Sequence, residues 1–252
     1  MSRQIVILAA GKGTRMAAVT PEPFPKVLIP LNGDKAVIKY LLEQVDQIET
    51  NTPPIIVVGF ESEKVKQELG DNYLYALQTE QKGTGHAVRS ARDLVTAENF
   101  VVLNGDMPFI SSVSIQKLID LHESNQAKIT LFTVTVPNFE GVYEHFLGFG
   151  RIIRNPDGQI IKIQEYADCN EEQKQITEVN TGEYMFNTQW VFSHLGEIGS
   201  TNAQHEIYLT DIVEIAIRDG QKIESLAIDP IEMFGINTPD HLAHAKSMLE
   251  GS

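Results

Sequence analysis

The sequence has little cysteine, little positive charge and no long apolar run. A single cysteine, Cys169, excludes an internal disulfide and any cysteine-based zinc site. Only 20 Lys and Arg stand against 34 Asp and Glu, a formal charge of −14. That balance excludes nucleic acid and anionic membrane as main partners, because both demand a basic footprint. No apolar run nears the ~18 residues of a membrane-spanning helix. Residues 1–10 lack a cleavable segment of signal-peptide shape, so a cytoplasmic, reducing compartment is expected. The seven histidines show no paired metal-ligand spacing, and His241 and His244, three apart, are expected on a solvated helix face. There is no internal repeat and no low-complexity segment.

What is present describes a soluble globular chain. Of 252 residues, 42% are hydrophobic and 21% charged, enough for a sizeable core. Short apolar runs at 4–9, 54–59, 73–78, 100–105 and 129–136 read as strands. Those up to residue 105 are nearly unbroken, as in parallel strands covered on both faces. Amphipathic stretches at 36–48, 62–69 and 86–95 alternate with them, with Ser62 as an expected helix cap. This alternation predicts an α/β fold: a Rossmann-like, mixed but mostly parallel sheet flanked by helices.

The second half changes character. Residues 151–166 read as two strands around Asn155-Pro156-Asp157-Gly158, followed by a strand at 179–187, a helix at 207–220 and a strand at 222–228. Thr238 and Pro239 read as the cap and first residue of a last helix. With no linker visible, the expectation is one domain over 1–252. It would hold a nucleotide-binding lobe at about 1–110, an antiparallel sugar-binding lobe at about 111–236, and a C-terminal helix at 237–252. Ligands of such folds sit at the carboxyl ends of the strands.

Four motifs fall at those ends. In LAAGKGTRM, Ala9, Ala10, Gly11 and Gly13 have almost no side chain, so their N–H groups can approach phosphate oxygens, and Arg15 adds a charged fork. The loop is neither GxGxxG nor GxxxxGKS/T, which weighs against a dehydrogenase or a P-loop enzyme; the alternative is a plain Gly-rich turn. Lys26 lies between Pro25 and an apolar run, which suits a fixed charge over a phosphate or a snorkelling surface lysine. QTEQKGTGHA offers Gln78 and Gln81, whose amides carry donor and acceptor together, and the small residue Gly83. Thr84 could equally cap a helix there. Asp106 ends the 100–105 strand, either as a Mg2+ ligand or as part of an Asx-type turn.

Taken in order, LAAGKGTRM, PKVL, QTEQKGTGHA, NGD, GFGRI, IQE, EVNTGEY, EIYLTDI and GIN resemble the sugar nucleotidyltransferases. They are most like the uridyltransferase domains of the bacterial bifunctional N-acetylglucosamine-1-phosphate uridyltransferases, and the likeness runs from residue 5 to about 240. The resemblance implies Mg2+-dependent transfer of a uridylyl group from UTP to a sugar-1-phosphate, first N-acetylglucosamine-1-phosphate. Leu8, Ala9, Ala10, Gly11 and Gly13 would hold the nucleotide, with Arg15 and Lys26 as catalytic cations. Gln78, Gln81, Gly83 and Thr84 would read the uracil, Gly150, Glu165, Asn180 and Thr210 the sugar, and Asp106 and Asn237 would ligate Mg2+.

Three departures from that family stand out. Residues 17–25 are longer than the usual link, 138–149 looks inserted and is expected as a lid over the sugar pocket, and NGD stands where YGD is usual. The β-helix through which the two-domain relatives trimerise is not in this sequence, so a monomer or weak dimer is expected. The rival readings are a transferase using glucose-1-phosphate or another NTP, and a non-catalytic nucleotide-sugar-binding regulator. A glycosyltransferase fits less well, for want of a DxD-type metal pair beside NGD.

Overall fold

The apolar runs of the first half become parallel strands because helices cover both of their faces. In the computed structural model, which describes residues 1–20 and 24–250, β1 (Arg3–Leu8) leads to a small antiparallel pair, β2 (Pro30–Asn32) and β3 (Lys35–Ala36). Helix α1 (Val37–Val45), β4 (Ile55–Val58), α2 (Ser62–Leu69), β5 (Leu74–Leu77), α3 (Thr84–Ser90) and β6 (Asn99–Asn104) continue the alternation. Then come α4 (Ser112–Asn125), β7 (Ile129–Thr135), β8 (Arg151–Arg154), β9 (Ile160–Gln164) and β10 (Glu178–Asn187). Helices α5 (Thr188–His194) and α6 (Asp211–Arg218), β11 (Ile223–Ala227) and α7 (Pro239–Glu250) complete the chain.

The main sheet has the order β11-β7-β10-β6-β1-β4-β5. Neighbours pair parallel except around β10, which runs antiparallel between β6 and β7. The β8–β9 hairpin, turning at Gly158 (φ 80°), hangs from β10 through Val179 and Arg151. Alternate side chains of β1 and β6 feed two cores. Ile5, Ile7, Val101 and Leu103 pack under α1 and α4, while Val6, Phe100 and Val102 pack under α3, α5 and α6. Each such side chain, once buried, contributes roughly 1.5–3 kcal/mol. The strands thus form a rigid base whose carboxyl ends carry the loops of interest.

Several boundaries differ from the sequence expectation. Glu61 (φ 50°), not Ser62, is the residue before α2, and no side chain caps that helix. Helix α3 starts two residues early, and the Thr84 hydroxyl, instead of capping it, accepts from Leu209 N at 3.2 Å. Helix α6 starts at 211 because 207–209 are drawn off to the 82–85 loop: Gly85 N donates to Ile207 O at 2.9 Å and Ile207 N to Lys82 O at 2.7 Å. Helices α4 and α5 are additions to the expected elements. Helix α7 begins as read, with Thr238 Oγ1 accepting from His241 N. Its face is not simply solvated: the His241 and His244 rings lie 5.6 and 5.1 Å from that of Phe234. The long 17–25 link falls partly on 21–23, outside the described residues. Among the described residues, no helix is long and apolar enough to cross a membrane.

Candidate active site

A cleft of about 430 Å³ opens over the carboxyl ends of β1, β5 and β6. Among its lining residues are Leu8, Ala9, Ala10, Gly11, Lys26, Gln78, Gln81, Gly83, Thr84, Asp106, Gly150, Glu165, Asn180, Thr210 and Asn237. Of the residues singled out from the sequence, only Gly13 and Arg15 stay off its wall, and each touches a residue on it. Gly13 is left-handed (φ 62°), and a Cβ there would lie 2.9 Å from Lys26 Cβ, so glycine lets the loop close over the lysine stem. Arg15 donates to Asn237 Oδ1 at 3.1 Å.

Four polar groups from distant segments meet at one end. Lys26 Nζ forms an ion pair with Asp106 Oδ2 and donates to Asn237 Oδ1 at 2.8 Å. The Asp106 carbonyl accepts from Ile236 N at 3.0 Å, which ties the loop before Asn237 to the end of β6. Asp106 Oδ2 and Asn237 Oδ1 therefore converge on a single point, now held by an ammonium group. Two hard oxygens so placed suit a small divalent cation that takes its other ligands from substrate phosphates and water. Among the described residues, no three His, Cys, Asp or Glu side chains are arranged to hold a metal by themselves.

At a second position Gln78, 4% exposed, donates from Nε2 to Gly83 O and meets His86 Nδ1, each at 3.2 Å. Its Oε1 is left as the end available to a ligand. Gly83 (φ 98°) must be glycine, since a Cβ would fall 2.6 Å from Ile207 O. Gly59 likewise leaves room for Ala10 and the Gln81 amide.

The wall across from these loops comes from the second half of the chain. Thr210 Oγ1 donates to Glu165 Oε1 at 2.8 Å, Asn180 N to Gly150 O at 2.8 Å, and Tyr184 OH to Asn180 Oδ1 at 3.0 Å. Burial pushes the Glu165 carboxyl above its usual range, partly offset by the Thr210 hydrogen bond. Burial also raises the Tyr184 phenol, so it remains a donor.

The segment 138–149 behaves differently from the expected lid. Only Phe149 reaches the cleft; Val142, Tyr143, His145 and Phe146 line a separate hollow against 229–234 and α7. The reason is Phe146, which is fully buried, and Arg151, whose guanidinium donates to the carbonyls of Leu147 and Phe149 and pulls the segment inward. Asn104, Thr181, Gly182, Tyr184 and Glu206 also line the cleft, although sequence reasoning singled out none of them as site residues. All lie inside motifs already noted: NGD, EVNTGEY and EIYLTDI.

Comparison with known proteins bears on the family and the fold. Residues 4–229 match the family model described as nucleotidyl transferase. The chain is 37% identical over 252 residues to the bifunctional protein GlmU of Exiguobacterium sibiricum, covering 99% of this chain and 53% of that one. It is 38% identical over 249 residues to that of Lactococcus lactis subsp. lactis, covering 98% and 52%. It thus spans about half the length of the curated relatives it matches. Two solved structures of UDP-glucose pyrophosphorylase, with UDP-glucose and apo, share the fold with TM-scores of 0.76 and 0.77. Their identities are 20% and 19%, and each comparison covers 100% of this chain and 99% of the other.

Proposed function

The chain belongs to the nucleotidyl transferase family, and on that premise we propose that it transfers a uridylyl group from UTP to a sugar-1-phosphate, N-acetylglucosamine-1-phosphate before others, with Mg2+. The products are a UDP-sugar and pyrophosphate. The observation that carries this reading is the meeting of Arg15, Lys26, Asp106 and Asn237 beside the backbone loop 8–13.

In the reaction a sugar-phosphate oxygen attacks the α-phosphorus of UTP as the bond to the pyrophosphate oxygen breaks. Both reactants are anions, so their repulsion is the main barrier, and the nucleophile is already ionised. No general base is required of the chain. Lys26 and Arg15 provide preorganised positive charge beside the loop that holds the triphosphate. Mg2+, held by Asp106 and Asn237, would supply charge neutralisation at the phosphates. The backbone N–H groups of 9–13 bind phosphate oxygens.

At the base, Gln78 Oε1 accepts from uracil N3–H because its Nε2 is already committed to Gly83 O. Gln81, Gly83 and Thr84 complete that pocket. At the sugar, Gly150, Glu165, Asn180 and Thr210 form the wall, with the Glu165–Thr210 pair as its polar centre. The compartment that fits UTP and sugar phosphates is the cytoplasm, and a charge of −14 keeps copies apart as monomers or weak dimers. The test is pyrophosphate release with four NTPs against several sugar-1-phosphates. Release with UTP and N-acetylglucosamine-1-phosphate is expected; silence across the whole panel would refute the reading.

A further inference from the structure

The Asn of NGD is not free to turn. Asn104 lines the cleft, and its Nδ2 donates to Glu183 Oε1 at 2.8 Å. Glu183 lies in the central antiparallel strand β10 with no solvent exposure and no ion-pair partner among the described salt bridges, and its Oε2 has no hydrogen-bond partner. Burial pushes its carboxyl up to about 8, with hydrogen bonding from Thr181 and Asn104 offsetting part of the rise and the nearby Asp106 charge adding to it. A buried carboxyl of this kind is costly; an apolar side chain would fill the position without that penalty.

The backbone around it is irregular. The pairing of β10 with β7 shifts register between Asn180 and Tyr184, and Gly182 is left-handed (φ 90°). Consecutive residues Asn180, Thr181 and Gly182 all border the cleft, which a strand of alternating faces cannot achieve. Gly182 is also required for space, because a Cβ there would lie 2.9 Å from Asn104 Nδ2. Irregular backbone, an absent side chain and a buried carboxyl thus meet at one amide.

We infer that Glu183 is a positioning residue that holds Asn104 with its Oδ1 turned into the cleft, as a specificity-determining acceptor for a hydroxyl or acetamido N–H of the sugar. One of the two amide hydrogens goes to Glu183, which fixes the orientation of the amide and leaves Oδ1 as its acceptor for ligand. The location fits the sugar side: Asn104 abuts Gly182 of β10, the strand that also supplies Asn180. The inference rests on the sugar-1-phosphate transferase reading and adds to it two residues and the polarity they impose.

Steady-state kinetics on the full chain with UTP and N-acetylglucosamine-1-phosphate test it. Glu183→Leu and Asn104→Ala should each raise the sugar KM by about tenfold, the effect of one lost hydrogen bond. The KM for UTP should change by less than about twofold in each, since no base or triphosphate contact is touched. Glu183→Gln keeps an acceptor for Asn104 Nδ2 and should recover most of the loss. The double variant Asn104→Ala with Glu183→Leu should match Asn104→Ala alone, because Glu183 acts only through Asn104. An unchanged sugar KM in Asn104→Ala, additive losses in the double variant, or Gln as poor as Leu would each overturn the inference. If Glu183→Leu fails to melt cooperatively, Asn104→Ala and Glu183→Gln still decide it. Turnover by the unmodified protein, measured first, separates the two failures: none with any sugar-1-phosphate sinks the transferase reading itself.

Discussion

Lys26 and Asn237 lie 211 positions apart and meet through a 2.8 Å hydrogen bond from Nζ to Oδ1. One comes from the loop after β1, the other from the turn before α7. The cluster they build with Arg15 and Asp106 therefore exists only when both ends of the chain are folded against the same sheet. It also brings a lysine and an arginine to one acceptor, Asn237 Oδ1, with Asp106 offsetting only the lysine charge. Ala at either Arg15 or Lys26 should lower kcat/KM by roughly 10²–10³, the scale for one preorganised electrostatic contact. Losses of tenfold or less at both positions would remove them from the mechanism.

The same geometry makes a metal prediction. Activity should vanish in chelator and return with Mg2+. Asp106→Asn and Asn237→Ala should each raise the Mg2+ concentration for half-maximal rate, because each removes one of two converging oxygens. An unchanged Mg2+ titration in Asp106→Asn would place the metal elsewhere.

Base choice follows from one amide. With Gln78 Nε2 tied to Gly83 O, its Oε1 faces a donor in uracil N3–H but an acceptor in cytosine N3. Sites built around a hydrogen bond reject partners that cannot make it, so UTP should exceed CTP in kcat/KM by at least about 10². Equal values for the two nucleotides would leave the assignment of Gln78 without support.

Much of this was legible before the fold was seen, for reasons that differ by element. The parallel strands announce themselves as unbroken apolar runs, and glycine loops at their ends mark where backbone must approach a ligand. Helix α4 was not among the expected elements, although Ser111, which accepts from Ser114 N, and the apolar positions 115, 118 and 119 carry its signals. The insertion of β10 between β6 and β7 was not legible, because strand order is a matter of long-range pairing that no local period encodes. The start of α6 was set by hydrogen bonds to a loop 125 residues earlier, and the path of 138–149 by the buried Arg151. The link between Asn104 and Glu183 needs a bulge, whose signal in the sequence is one glycine.

Sugar choice should depend on Phe149 and not on the rest of its segment. Phe149→Ala, which opens the cleft wall, should raise the KM for N-acetylglucosamine-1-phosphate several-fold. Val142→Ser, at a position 59% exposed and outside the cleft, should leave it unchanged. If both variants behave alike, the segment acts as a unit. Should glucose-1-phosphate win over N-acetylglucosamine-1-phosphate in the intact protein, the acetamido assignment fails while the transferase survives.

The buried carboxyl of Glu183 makes a stability prediction that does not depend on substrate. Its ordinary value of 4.5 rises to about 8 on folding, chiefly through burial. Between those values the folded state holds a proton that the unfolded chain has released, so stability must fall as pH rises. The contribution is fully present below pH 4.5 and lost by the time pH passes about 8. Glu183→Gln keeps the shape and the acceptor for Asn104 but cannot ionise. Its melting temperature relative to the unmodified protein should therefore climb from pH 5 to pH 8, by at least about 5 °C for a chain of this size. Other titrating groups, Glu165 among them, are common to both proteins and cancel in that difference. A difference that stays flat across the range would mean that Glu183 is charged in the folded protein, with a cationic or metal partner near Oε2 to hold it so.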